Sequence, residues 1–495
     1  MFCMNKKITK QIPALPEKVL NDLPDFVVAY IRFLEDCIEQ LNLKVKQLTE
    51  RVEDLENQLA KNSSNSSKPP SSDDFKKPIK TQSLRVKSGK KSGGQQGHIG
   101  KTLEQVENPD YVVIHSPKSC FSCGHELSCV NKEKECVEKR QIFDVPPPKT
   151  EITEHRISIK NCPACGSATR GLFPKDITAS TQYGEHVQAL AAYFSHQHFM
   201  PFERLAQVFQ DIFNIEISQG TIVNIDQRLF IRLEHFEDNL KTHLVNSKVL
   251  HFDETGIRCN KKTSWIHVAS SESATFFGVH PKRGKEAIDA FNIMPKFKGI
   301  AMHDHWYPYF AYKNVQHLLC HAHHLRELNF VFEHKHEAWA NDMKKLLLMA
   351  KQMTEDHAKD GILPTTNIED LIKEYNEIIF QGFVYHEKLP PLLQKARGKT
   401  KQRPGKNLLD RLANYQQLAL QFIYDFSLPF TNNLGEQDIR MVKIKQKISG
   451  SFRKIQRLKI FCRIRSYIST ARKQKLNIFK AIIQAIQGAP ILLDT

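Results

Sequence analysis

Three observations predict a multidomain α+β chain. Apolar residues repeat in an unbroken heptad from Ile31 to Leu59. Two C-x-x-C pairs, each followed by Gly, stand in CFSCGH and CPACGS. From Val249 onward, short apolar runs of strand character give way to long helical patterns. With 495 residues, two to four domains are expected. A hydrophobic content of 40% is enough for real cores, and the net charge of +17 points to a polyanionic partner. No apolar run approaches the roughly 20 residues of a membrane span. The start MFCMNKKITKQIP lacks the apolar core of a secretory signal. A reducing interior is therefore expected, where the eleven cysteines are thiols or metal ligands rather than disulfides.

The first element, over 25–61, is a coiled coil. Ile31, Ile38, Val45, Val52 and Leu59 share one heptad position; Leu34, Leu41, Leu48 and Leu55 share the other. β-Branched residues at a with Leu at d favour a parallel pair, so self-association is expected. A flexible basic linker follows over 62–105. It opens with NSSNSSKPPSSDD and carries Lys87, Lys90 and Lys91 in a stretch without acids. Such a strap can follow a phosphate backbone without reading sequence.

Residues 106–175 read as a zinc-ribbon-like module. Cys120, Cys123, Cys162 and Cys165 suit tetrahedral Zn²⁺, and the Gly after each pair lets amides approach the thiolates. Cys129, Cys136, His115 and His125 are substitute ligands, and RQIFDV and TEITEHRISIK are strand-like. Residues 176–245 are helical. Two patterns break at Asn214 to Ile217, with Ser218 as N-cap of the second. Two readings stand open here: a helix-turn-helix that reads DNA, or two helices packed on the next domain.

The strand candidates VLHFDET, SWIHVASS, ATFFGVHP and KGIAMHD suggest a ribonuclease-H-like core, 246–332 and 426–495, interrupted by a helical insertion over 333–425. Asp253 and Asp304 sit at apolar strand ends, where a carboxylate needs water, a cation or a metal. Glu436 opens a helix in TNNLGEQDIR. Three such acids are what a two-metal phosphoryl-transfer site needs, with Mg²⁺ or Mn²⁺ as the ions. Each has a competing reading. Glu254 rivals Asp253, Asp304 could orient the imidazoles beside it, and Glu436 nearly completes a capping box with Asn433 at N-cap. Asp438 is the local rival of Glu436. Arg440, Lys443, Lys445 and Arg453 fit a phosphate backbone, Arg440 one turn beyond Glu436. Cys320 and His323 form a C-x-x-H pair at a helix start.

These stretches carry a resemblance. The zipper, NSSNSSKPPSSD, GGQQGHIGKTL, the paired knuckles, HFDETGIR, HDHWYPY, CHAHHLREL, TNNLGEQDIRMVKIKQKISGSFRK and TARKQKLNIF are similar to the large transposase of the insertion sequence 66 family of bacterial mobile elements. The resemblance implies a DDE transposase whose triad is Asp253, Asp304 and Glu436, with Cys320, His323 and Asn433 as active-site support. It implies cleavage at element ends and strand transfer into target DNA, in the bacterial cytoplasm at the nucleoid. Small accessory proteins of the element are possible partners; a membrane is not. The alternatives are an inactive DNA-binding remnant and another metal-dependent DNA nuclease. Two positions depart from the family pattern. Gly435 stands where Ala is expected, a change that is sterically harmless but loosens the helix start, and His305 stands where Gly is expected, which threatens to crowd the metals.

Overall fold

The computed structural model describes residues 23–61, 103–127, 138–390, 392 and 402–494. Lys87, Lys90 and Lys91, nearly all of the basic linker, and Cys129 and Cys136 lie outside them. The described chain is a mixed α+β structure that divides into two compact units. Among the described residues no helix is long and apolar enough to cross a membrane.

The first unit contains α1, Asp25–Ala60, one helix through the whole heptad. Its stripe faces outward: Leu41, Val45, Leu48 and Val52 are each more than half exposed. A helix this long with an uncovered apolar seam does not bury its own stripe.

The second unit holds both cysteine pairs and a helical part. Each pair forms the same turn. Gly124 N–H donates to Cys120 O and Gly166 N–H to Cys162 O, both at 2.9 Å. The two glycines have φ of +72° and +71°, the left-handed region where a side chain is strained. Strands β1, Ile159–Asn161, and β2, Ala168–Arg170, pair antiparallel around the second turn. A single bridge, Ser119 to Glu126, frames the first. The strand expectation for 140–145 and most of 150–160 fails, because those residues form no ladder. The helical part comprises α2, Glu185–Ala192, α3, Phe202–Phe213, and α4, Gln219–Arg232. Asn214 ends α3 in the left-handed conformation, and Ser218 Oγ accepts Thr221 N–H at 3.0 Å, so Ser218 caps α4. Leu205, Phe209, Ile217, Ile222 and Ile225 share one core there.

The rest of the first unit begins with α5, Glu234–Val245, and a five-stranded sheet. Its strands are β3, Val249–Cys259; β4, Lys262–Ser270; β5, Thr275–His280; β6, Ile300–His303; and β7, Gln316–Leu319. The order is β5-β4-β3-β6-β7. The pairings β5–β4 and β4–β3 are antiparallel; β3–β6 and β6–β7 are parallel. Helix α6, Lys285–Ala290, lies in the connection from β5 to β6.

Four longer helices follow: α7, His321–Lys335; α8, Ala338–Asp356; α9, Thr365–Glu387; and α10, Pro404–Asn414. They build their own core around Leu328, Trp339, Leu347, Tyr375 and Leu409. After the short α11, Gln416–Ala419, the chain returns to the sheet as α12, Asn433–Ser449, and α13, Ile455–Lys473. α13 covers edge strand β5. Its Ser466 and Thr470 hydroxyls accept the N–H groups of Phe277 and Thr275 at 2.9 and 3.1 Å. That satisfies amides which an edge strand otherwise leaves open to further pairing.

Candidate active site

Parallel pairing fixes where the first two acids meet. β3 and β6 pair from Val249↔Ile300 to His251↔Met302. The same register carried two residues further sets Asp253 opposite Asp304. Asp253 is therefore not at a strand end, as the sequence suggested. It lies inside β3, where the partner strand stops and β3 continues with β4 alone. Asp304 is the first residue beyond β6. Both carboxylates thus stand where the sheet opens beside its last shared ladder rung.

Asp304 is held by the turn it starts. Its Oδ1 accepts Trp306 N–H at 3.0 Å. The preceding His303 is fully buried, with Nε2 3.1 Å from His317 Nδ1, while His317 Nε2 lies 3.0 Å from Tyr312 O. A carbonyl only accepts, so His317 carries its proton on Nε2 and His303 donates to its Nδ1. His303 Nδ1 then accepts His305 N–H at 3.2 Å. The chain of neutral rings fixes the backbone around Asp304, and the imidazole-orienting role proposed for that acid is not used.

His305 does not crowd the acids. Its φ is +74°, the conformation that glycine tolerates best, which is the backbone reason for the Gly expected there. Its ring packs against Tyr415 at 4.6 Å and Phe310 at 5.2 Å between centroids.

Glu436 comes in on α12, and its delivery corrects the capping box. The N-cap is Asn432, not Asn433; Asn433 is the first helical residue and is exposed, and no side chain caps the helix. The fully buried Asn432 side chain reaches the sheet instead. Its Nδ2 donates to Phe252 O at 2.8 Å, and its Oδ1 lies 2.9 Å from His251 Nδ1. The N–H of Asn432 points at Cys320 Sγ, 3.1 Å away. One side chain thus fastens the start of α12 to the residues just before Asp253. An Ala Cβ at Gly435 would stand 3.2 Å from Asn432 Oδ1 and 3.4 Å from His251 Cβ. The position is tight for a Cβ, so the Gly fits without strain, as expected, and an Ala would press on Asn432.

Asp438 is used for structure. Its Oδ2 accepts Ser270 Oγ at 2.6 Å, Thr275 Oγ1 at 2.8 Å and Lys473 Nζ at 2.8 Å. Glu436 pairs with Arg326, at 3.3 Å, rather than with Arg440, and lies 3.6 Å from His323 Nδ1. Cys320, His323 and Glu436 offer ligand atoms all within 4.8 Å of one another, the one such group of three among the described residues. The four knuckle cysteines are not gathered in that way. Lys443 turns inward and donates to Gly256 O at 2.6 Å, and Lys445 contacts Ser449 Oγ. Arg440 and Arg453 are exposed.

Asp253 accepts one backbone amide, that of Glu254, at 2.8 Å. Burial, followed by the charges of Glu254, Asp304 and Glu436, holds its carboxyl well above the ordinary range. Burial also raises Asp304. Asp253 therefore meets the other two acids as like charges in a recess.

Glu254 is the neighbour that sequence reasoning left as a rival. Its side chain is 2% exposed and is already engaged by Arg283, at 2.6 Å, and by the Tyr309 hydroxyl, which donates at 2.7 Å. Arg283 itself lies over the Trp306 ring at 4.1 Å and the Trp265 ring at 5.0 Å. Burial and Asp304 push Glu254 up to about 7, against the pull of Arg283 and Tyr309. A carboxyl raised in the fold stabilises it fully below its unfolded value, and that contribution fades as pH climbs through the folded one. In metal-free buffer, therefore, Glu254 should cost the chain stability between about pH 4.5 and 7. The expected loss is roughly 3 kcal/mol. Thermal melts from pH 5 to 8 should show a flatter profile for Glu254→Gln than for the unaltered chain; parallel profiles would refute the assignment.

Recessed acids carried by a mixed sheet and a returning helix stand here in a chain of strong positive charge. Residues 180–459 match the family model described as the transposase IS66 family. The match spans more than half of the chain and includes all three acids; the chain belongs to this family, and so to the DNA transposases. Residues 24–104 match a family of unknown function, DUF6444. No curated protein matches the chain.

Proposed function

We propose that Asp253, Asp304 and Glu436 are the catalytic carboxylates of a DNA transposase that cuts at the ends of its element and joins the freed 3′-hydroxyls to target DNA. The observation that carries this reading is the convergence of the three acids from β3, from the end of β6 and from α12. Their donor set is all oxygen and their charges are mutually repulsive, which fits hard divalent cations such as Mg²⁺ or Mn²⁺. Two such ions, held by Asp253, Asp304 and Glu436, would activate a water or a 3′-hydroxyl and stabilise the leaving oxygen. The chain's part is to hold and orient. Asn432 and the His303–His317 pair fix the backbone around the acids, and the exposed Arg440 and Arg453 draw the phosphate backbone in. Lys443, spent on Gly256 O, is better read as a clamp on β3. The strand order and the helical block between β7 and α12 support a ribonuclease-H-like core with an insertion.

The purified chain in Mg²⁺ should nick DNA carrying the element's two ends and leave 3′-hydroxyls, and a chelator should stop it. Nicking that persists in the chelator would overturn the metal-dependent reading.

The outward heptad seam of α1 supports a parallel pair with a second copy, which would hold two DNA ends together. The matched turns at Cys120–Gly124 and Cys162–Gly166 support a structural Zn²⁺ held by Cys120, Cys123, Cys162 and Cys165. Zinc quantification should find about one structural ion per chain, lost in Cys162→Ser. Unchanged zinc in that variant would sink the four-cysteine site.

A further inference from the structure

We infer that Cys320, His323 and Glu436 form a cation site of their own, suited to a soft divalent ion of the zinc class, and that this ion competes with the hard-cation site for Glu436. The competition rests on the proposed role of Glu436; the site itself does not. Sulfur, imidazole nitrogen and carboxylate oxygen together are a donor set that Mg²⁺ disfavours and Zn²⁺ favours. Three observations place the set. The ligand atoms all lie within 4.8 Å of one another. Cys320 is 1% exposed, and the N–H of Asn432 points at its Sγ at 3.1 Å, a contact that supports a metal thiolate. His323 Nδ1 is buried, has no hydrogen-bond partner, and lies 3.6 Å from Glu436 Oε1. An imidazole nitrogen in that position is costly without a proton acceptor or a metal.

The local folding explains the placement. Cys320 is the N-cap of α7 and His323 follows three residues later, so the two side chains share one face of the first turn. Asn432 brings the start of α12 against that turn. Arg326, one turn further along α7, now balances Glu436 at 3.3 Å. An ion in the site would take over that balancing role, and Glu436 would then be drawn toward α7 and away from Asp253 and Asp304.

The test is a cobalt(II) titration of the full-length chain in magnesium-free buffer, read by sulfur-to-cobalt charge-transfer absorbance. One component of that absorbance should persist in Cys162→Ser and disappear in Cys320→Ser. In His323→Gln the same component should weaken in affinity by at least roughly tenfold, a loss that even an outer-shell partner can give. Added Mg²⁺ should weaken it too. Equal spectra for the unaltered chain and a folded Cys320→Ser would overturn the site. If Cys320→Ser fails to fold, unchanged cobalt affinity in His323→Gln overturns it equally. Indifference to Mg²⁺ would overturn the competition. A chain that cuts no DNA but keeps the Cys320-dependent absorbance would refute transposition and leave the cation site standing.

Discussion

Asp253→Asn should separate catalysis from stability. Cleavage should fall by about a thousandfold or more, since the variant loses a ligand that both holds a cation and sets its position. DNA binding should stay within about twofold, because the phosphate-facing cations lie elsewhere on the surface. The metal-free protein should melt higher at neutral pH. Its carboxyl is buried among Glu254, Asp304 and Glu436, and all three charges act against its ionised form. Removing that charge relieves repulsion worth about 1–2 kcal/mol. Stabilisation with loss of function is the signature of a site built against the fold's own preference. A melt and a gel-shift on the same preparation check both halves. A variant that cuts normally, or one that melts lower with its activity gone, would contradict the account.

Asn432→Ala should be the most damaging change outside the acids. It removes two buried hydrogen bonds and leaves Phe252 O and one nitrogen of His251 unpaired in the core. Each orphaned group costs about 1–3 kcal/mol, so roughly 2–6 kcal/mol of stability should go. The start of α12 then loses its fastening to β3, and Glu436 is no longer held beside Asp253. Below the new melting point, cleavage should fall by at least about tenfold, since misplacement by even 1 Å is costly. Asn433→Ala, one residue on and exposed, should change little. Denaturant unfolding and cleavage rates at low temperature measure both; equal effects at the two asparagines would refute the division of labour.

The contrast between those neighbours shows where the sequence stopped being legible. Asn432 and Asn433 are chemically identical, and only tertiary contact with His251 and Phe252 tells them apart. Asp253 and Asp304 stood out because each follows an apolar run, and a charge there needs an explanation. Their partnership depended on β3 and β6 pairing in parallel, which no local pattern encodes. Glu254 was obscured by its neighbour. Alternation along β3 sends it to the other face, where Arg283 and Tyr309 arrive from distant segments. The long helix α1 was legible from its heptad, and α3 and α4 from their break and the Ser218 cap. Residues 140–145 misled, because a short run rich in β-branched and aromatic residues reads as a strand even where no partner strand pairs with it.

The most direct measurement of the central claim is strand cleavage on DNA bearing the element's own ends, in Mg²⁺, by Asp253→Asn, Asp304→Asn and Glu436→Gln side by side with Asp438→Asn in folded protein. The first three should not cut, each with DNA binding retained, and the fourth should, because its acid serves the structural network around Lys473. Cutting at the unaltered rate by any of the first three would contradict that claim.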